Sequence, residues 1–298
     1  MVDMNFGSFI PEEVVTSWVV EINDYEKTWR NLQVARKIFP YRSIGETMDY
    51  DSITRYDASG TIAQIIAKGS VPEPYTMKAR QSKHEMLCNA AGFTIHDRDL
   101  AKPQGALQKN KEIDVGLASM HELEDNLAIN GSTSLGITGI VGAARANSNG
   151  KIAASAGTYN NNGAWDGNDD NRDIYEDVLL ATTLQDVRFA PAFLLGNRLS
   201  LSYLKTNDSE RHPFYQQISG LFGKSPEDMS WMVESPQVPT GFVYVVPYMP
   251  NAGEFVVSTE IDIKEPYREK GGNWWIEMSE WFCPELHEVD AYVEIAIT

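Results

Sequence analysis

An α+β fold is predicted for this 298-residue chain, and three features predict it. One long amphipathic helix lies in KNKEIDVGLASMHELEDNLAING, a mixed run of short helices and strands follows it, and the end of the chain reads as strand alone.

Composition sets the frame. Hydrophobic residues make up 42% and charged residues 22%, near the averages of soluble folded proteins, which excludes a disordered chain, a collagen-like rod or a coiled coil. The length allows one large mixed domain or two smaller lobes. No apolar run approaches the ~18 residues needed to span a bilayer, and the start, MVDMNFGSFIPEEVV, lacks both a basic stretch and a signal-like apolar segment. Synthesis and assembly in a cytoplasm, without a membrane partner, are therefore expected. Two cysteines, Cys88 and Cys283, are too few for a disulfide scaffold and fit a reducing compartment, although one bridge between them stays open. The net charge of -17, from 42 acidic and 25 basic residues, excludes nonspecific nucleic-acid binding through a broad basic surface. It does not exclude a container for DNA, since a shell that gripped its contents tightly would obstruct their packing and release.

Residues 1–44 alternate short apolar clusters with charge. In DYEKTWRNLQVARKIFPYRSI, Tyr25, Trp29, Leu32 and Ile38 partly match helical spacing, and Pro40 ends the helix. The rest predicts an arm, which must lie against its own body or a neighbour. Between 45 and 99 the stretches TIAQIIAKG and NAAGFTIHD read as strands flanking the polar segment SVPEPYTMKARQSKHE, a projecting hairpin loop. Lys68, Lys78, Arg80 and Lys83 concentrate there in an otherwise acidic chain. They form either a solvated tip or a positive finger that docks on an acidic neighbour.

In the long helix, Ile113, Leu117, Met120, Leu123 and Leu127 follow one face, with Glu112, Asp114, Ser119, Glu122 and Asp125 on the rest. This apolar face is expected to lie across the terminal sheet, covering strands that carry Phe255, Val257, Ile261 and the tryptophans. Asn130-Gly131 supplies a left-handed closing residue, and GITGIVGAA supplies small residues for close packing. KIAAS predicts a strand within a loop rich in Asn, Gly and Asp. In RDIYEDVLLATTLQDV, Ile174, Val178 and Leu184 face inward and Asp173 caps the helix. PAFLLGNRLSLSYLK, HPFYQQISGLFG and GFVYVVPYM continue a compact lobe. EFVVSTEIDIKEPYR, a GG turn and NWWIEMSEWFCPELHEVDAYVEIAI then close the chain in an antiparallel sheet, with Trp275, Glu277, Ser279 and Trp281 on one face and Tyr292, Glu294 and Ala296 alternating later.

This order of elements resembles the Hong Kong 97-type fold of tailed-virus major capsid proteins, which encapsulin shells share. The sharpest local match is HELEDNLAINGSTSLGITGIVGAA, similar to the family's spine-helix end at Glu124, Asp125, Ile129, Asn130, Gly131, Gly136, Ile137, Gly139 and Ile140. GFTIHDRDL resembles the return strand of its extension loop, and the segment around Pro284 its closing strands. The resemblance implies an N-terminal arm at 1–44, an extended hairpin loop at 45–99, a peripheral domain with the spine helix at 100–173, an axial domain at 174–254 and the peripheral domain's terminal sheet at 255–298. It further implies a structural role rather than an enzymatic one. The partners would be further copies of the chain in pentamers, hexamers and a whole shell, then cement or portal proteins, and packaged double-stranded DNA held without sequence-specific contact. The virion is the implied location. A chain beginning at Met1 fits encapsulins or uncleaved viral subunits rather than trimmed ones. The encapsulin alternative encloses enzyme cargo, with TWRNLQVARKI as the cargo-capturing segment.

Four constellations with chemical potential have simpler readings. His84 with Cys88 and Cys283 with His287 have four-residue spacing usable by a zinc site, but both segments look extended, and ordinary buried or interface cysteines are preferred. Asp166, Asn168, Asp170 and Asp177 fall where a calcium loop would place ligands, yet Asn171 replaces the needed Gly, and an acidic loop before the helix near Asp173 explains the same residues. Trp274, Trp275, Trp281 and Phe282 would suit a sugar-binding surface module or, as preferred, a core or subunit contact. Neither G-x-S-x-G nor a phosphate-binding loop occurs, since GKSP at Gly223 lacks the preceding Gly, and the abundant carboxylates carry no glycosidase signal. No catalytic, cofactor-binding or metal residue is therefore assigned.

Overall fold

A computed structural model describes residues 33–45, 50–59, 76–100, 105–148, 150–152, 165, 172–205, 213–264, 266–268 and 271–297. It begins with a short helix, α1 (Val34–Ile38). Pro40 cannot continue the helical hydrogen bonding, and the chain leaves as strand β1 (Tyr41–Ser43). Tyr25, Trp29 and Leu32, predicted to extend this helix backward, lie outside the described residues.

Strands β2 (Tyr50–Ser59) and β3 (Thr76–Glu85) pair from Tyr50↔Glu85 to Ser59↔Thr76 as a sheet of two strands. At ~3.4 Å per residue this ribbon is about 30 Å long. A hairpin is thus present in the predicted region, but its strands differ from those expected. The segment read as a polar connection supplies β3, whose sequence TMKARQSKHE carries no apolar alternation and which pairs outside both main sheets. TIAQIIAKG lies outside the described residues. The other expected hairpin strand, NAAGFTIHD, falls in β4 (Leu87–His96), which pairs with a late strand of the body instead.

Helix α2 (Asp97–Leu100) leads to the spine, α3 (Gly105–Asn130). Ile113, Leu117, Met120 and Leu127 are buried on its inner face, as expected, but Leu123 is 44% exposed and Glu124 takes the inner position at 0%. The buried register runs 113, 117, 120, 124, 127, so residue 123 is turned away by about 100°. Gly131 follows with φ 73. Strands β5 (Gly131–Ser132) and β6 (Ile137–Thr138) then form a tight return into α4 (Ile140–Ala146). A Cβ on Gly131 would lie 2.4 Å from the Gly139 nitrogen, and one on Gly139 would lie 2.3 Å from the Gly131 nitrogen. Only a glycine pair allows that approach.

The lobe and the end of the chain comprise β7 (Lys151–Ile152), α5 (Arg172–Leu184), β8 (Pro191–Gly196), α6 (Arg198–Ser202) and α7 (Phe214–Ile218). They continue through β9 (Met232–Glu234), β10 (Phe242–Pro247), β11 (Gly253–Ile263), β12 (Tyr267–Arg268), β13 (Asn273–Leu286) and β14 (Val293–Ala296). Two five-stranded sheets result. The body sheet has the order β1-β11-β13-β12 with β4 on β13, and the lobe sheet the order β7-β14-β10-β8-β9. The expected closing sheet is therefore divided: β11 and β13 pair antiparallel in the body, while β14 crosses to the lobe and pairs with β10. Nor is the body sheet wholly antiparallel, since β1 joins β11 in parallel.

The lobe sheet has two buried faces. Val243, Val245, Val293 and Ile295 pack with Val178, Leu201 and Trp231 under the lobe helices. Tyr244, Val246 and Tyr292 face the other core, with Ile38, Ile129, Ile140, Phe255 and Phe282. The spine crosses the body sheet as expected, its Ile113, Leu117 and Met120 against Ile261 and Met278.

Candidate functional site

The groups with most chemical potential are two cations that join the first described segment to the body. Arg36, on α1, donates to Glu260 at 3.0 Å, to Glu280 at 3.1 Å and to Glu124 at 3.3 Å. Burial opposes its charge, but the three carboxylates raise its pKa overall. Glu280 projects from the buried face of β13, and Asn89 of β4 donates to it at 2.7 Å while also donating to the Met120 carbonyl at 3.0 Å. Burial pushes Glu280 up to about 10, helped by the neighbouring Glu124. Burial also opposes the charge of Glu124, yet hydrogen bonds with His121 and Glu280 and the charge of Arg36 hold it below the usual carboxylate range. Burial and the closeness of the two carboxyls favour a proton on the pair, while Arg36 favours its charge.

The same turn of the spine caps α1. Asp125 accepts from the Ala35 backbone N–H at 2.7 Å, with Val34 at 3.4 Å. Its pKa is pushed up to about 6 by burial. A cleft of about 350 Å³ opens beside it, lined by Gln33, His121, Glu122 and Gln237 among others.

Arg42, on β1, forms the second junction. It reaches Glu254 of β11 at 2.7 Å, Glu285 of β13 at 3.6 Å and Asp51 at the base of the hairpin. Burial, with Asp51 close by, pushes Glu285 up to about 8. His287 stands 3.8 Å from the same Glu254 oxygen, Oε2. The hairpin is therefore moored at its base by charge, while β2 and β3 pair only with each other among the described residues. Lys78, Arg80 and Lys83 lie on β3, opposite Asp57, Arg55 and Ser52 in register, and Lys68 is outside the described residues.

Sequence reasoning missed Arg36, Arg42, Glu280 and Glu285. One signal was available: Glu280 occupies the buried register of β13 with Trp274, Ile276, Met278 and Phe282, and a carboxyl there requires a partner.

The predicted constellations do not assemble into sites. Cys88 is exposed and lies opposite Trp281 in register, Cys283 is buried beside Met86 and Val256, and both are free thiols. Burial pushes the Cys283 thiol up to about 12. His84 lies on β3 opposite Asp51. No group of three or more His, Cys, Asp or Glu among the described residues is arranged to hold a metal ion. Asp177 is an internal residue of α5, buried, and accepts from the Trp165 indole N–H at 2.9 Å. Asp166, Asn168, Asp170 and Asn171 are outside the described residues, and Asp173 falls inside the first turn of α5 rather than before it. Trp274 and Phe282 are buried while Trp281 is 39% exposed, so the four aromatics do not share one open surface. No helix among the described residues is long and apolar enough to cross a membrane.

No protein-family model and no curated protein matches the sequence. Solved structures do match. A virus-like particle from Pyrococcus furiosus aligns over 93% of this chain and 99% of its own at a TM-score of 0.64 and 11% identity. The capsid of an empty GTA particle aligns over 89% and 90%, at 0.61 and 10%. The capsid of Myoviridae phage XM1 aligns over 90% and 92%, at 0.59 and 10%. Aligned over nearly their whole length with this mixed architecture of spine helix, two sheets and hairpin, these structures establish that the chain has the Hong Kong 97-type capsid fold.

Proposed function

We propose that the chain is the repeating structural subunit of an icosahedral shell, the major capsid protein of a tailed virus, and that its role is not enzymatic. The observation that carries this reading is the hairpin. A ribbon of ten paired positions belongs to neither five-stranded sheet among the described residues, and a neighbouring copy is the natural partner for strands outside the body's sheets. The names of the similar structures, two capsids and a virus-like particle, support the same assignment.

In this reading the hairpin at 45–99 and the arm at 1–44 overlap neighbours, the lobe at 174–254 gathers into rings of five and six, and the interior holds double-stranded DNA without sequence-specific contact. Portal and cement proteins would complete the virion. A shell enclosing enzyme cargo is the second reading. The near-complete alignment, 99% of that chain, with a virus-like particle is compatible with either kind of shell.

Purified particles opened after nuclease treatment separate the two. Protected DNA of uniform length is expected for the capsid, and a co-purified enzyme without nucleic acid would replace that reading with the second.

A further inference from the structure

Helix α5 has two apolar sides. Ile174, Val178 and Ala181 are buried against the lobe, whereas Leu179 and Leu180 are 37% and 40% exposed. Glu176 lies one turn before them, on the same outward side, with no ion-pair partner among the described residues. The helix packs over β14 and β7, one edge of the lobe sheet.

Across the same face, α6 packs over β10 and β9, at the other edge. Val178 of α5 and Leu201 of α6 belong to one core, which places both helices in one layer. Leu199 is 58% exposed there, Met229 just ahead of β9 is 42% exposed, and Arg198 is exposed with no ion-pair partner among the described residues. One layer thus carries two apolar patches over opposite edges, one with a spare carboxylate and one with a spare guanidinium.

A two-fold contact needs a patch that complements itself, and neither patch does, since each would oppose like charges. A head-to-tail contact needs two different patches on two sides of the subunit, which is what the lobe presents. We infer that the α5 edge of one copy docks on the α6 edge of the next, Glu176 meeting Arg198 while Leu179 and Leu180 cover Leu199 and Met229. The partner is a second copy of this chain. The inference rests on the shell reading and assigns its ring contact to named residues.

Charge reversal in the full-length chain tests it. E176R and R198E should each lower the yield of rings or shells by about tenfold or more, because each places like charges in contact. The double variant E176R/R198E should restore assembly. Single variants that assemble like the parent overturn the inference, as does a folded double variant that fails to recover. If a reversed chain does not fold, E176C/R198C in a C88S background takes its place. Oxidation should then give a ladder of linked subunits, with at most dimers from either single cysteine, and absence of a ladder overturns the inference. An unmutated chain that forms no ring or shell would instead remove the shell reading itself, an outcome seen without any variant.

Discussion

Arg36 shows how much a single side chain holds in this chain. It is the cation among Glu124, Glu260 and Glu280, and with it α1 is tied at once to the spine and to two strands of the body sheet. Removing one partner of a buried ionic group costs about 3 to 5 kcal/mol, since the remaining charge stays buried without compensation. R36M should lose that much in urea denaturation of dissociated subunits. E280Q should stay within about 1 kcal/mol of the parent at neutral pH, because burial and Glu124 favour the neutral form of Glu280 and an amide can still donate to Glu124. Glu285 predicts a pH dependence. Its folded pKa, about 8, lies above the ordinary 4.5, so the folded state binds the proton more tightly. The associated stability is fully present below the ordinary value and is lost as pH rises through about 8. Asp125 acts in the same direction over a lower window, from 3.8 to about 6. Glu280, pushed up to about 10, prolongs the fall beyond pH 8, while Asp125 and Glu285 should lower subunit stability between about pH 5 and 8, on the order of 1 kcal/mol per pH unit for each group still titrating. E285Q should flatten the upper part of that slope, and an unchanged slope would show that the Arg42 junction does not hold Glu285 as described.

Among the elements, the spine offers the sharpest comparison. Leu117 is 0% exposed against the body sheet and Leu123 is 44% exposed. L117A should cost about 2 to 5 kcal/mol and L123A under about 1 kcal/mol in the dissociated subunit. Equal losses would mean that the helix is rotated from the register seen here. The spine, the glycine return after Asn130 and the lobe helix α5 were legible in the sequence because each has a local signature: a period of 3.6, a left-handed glycine, an apolar stripe. Leu123 was misassigned because 123 and 124 compete for one inner position, and a carboxyl loses that competition on hydropathy alone. What reverses the outcome is Arg36, 88 positions away. The same distance effect hid Glu280, which is 244 positions from Arg36. It also hid the crossing of β14 to the lobe, since an alternating strand looks the same whichever sheet receives it. Of the expected hairpin strands, NAAGFTIHD pairs with β13 of the body instead, and β3 was read as a connection because TMKARQSKHE carries no apolar alternation.

At the scale of the whole molecule, the charge of -17 and the hairpin point the same way. Many copies of an acidic chain repel one another, so their association relies on local apolar patches and complementary ion pairs rather than on overall charge. The exposed apolar residues and charges at the two lobe edges would supply such features. Salt should therefore strengthen assembly by screening the net repulsion up to the point where it also screens the specific pairs. The most direct test of the central claim is electron microscopy of the purified full-length chain across concentration and salt. Closed icosahedral shells, with subunits in rings of five and six, are the predicted result, and a chain that remains a monomer under every condition would contradict it.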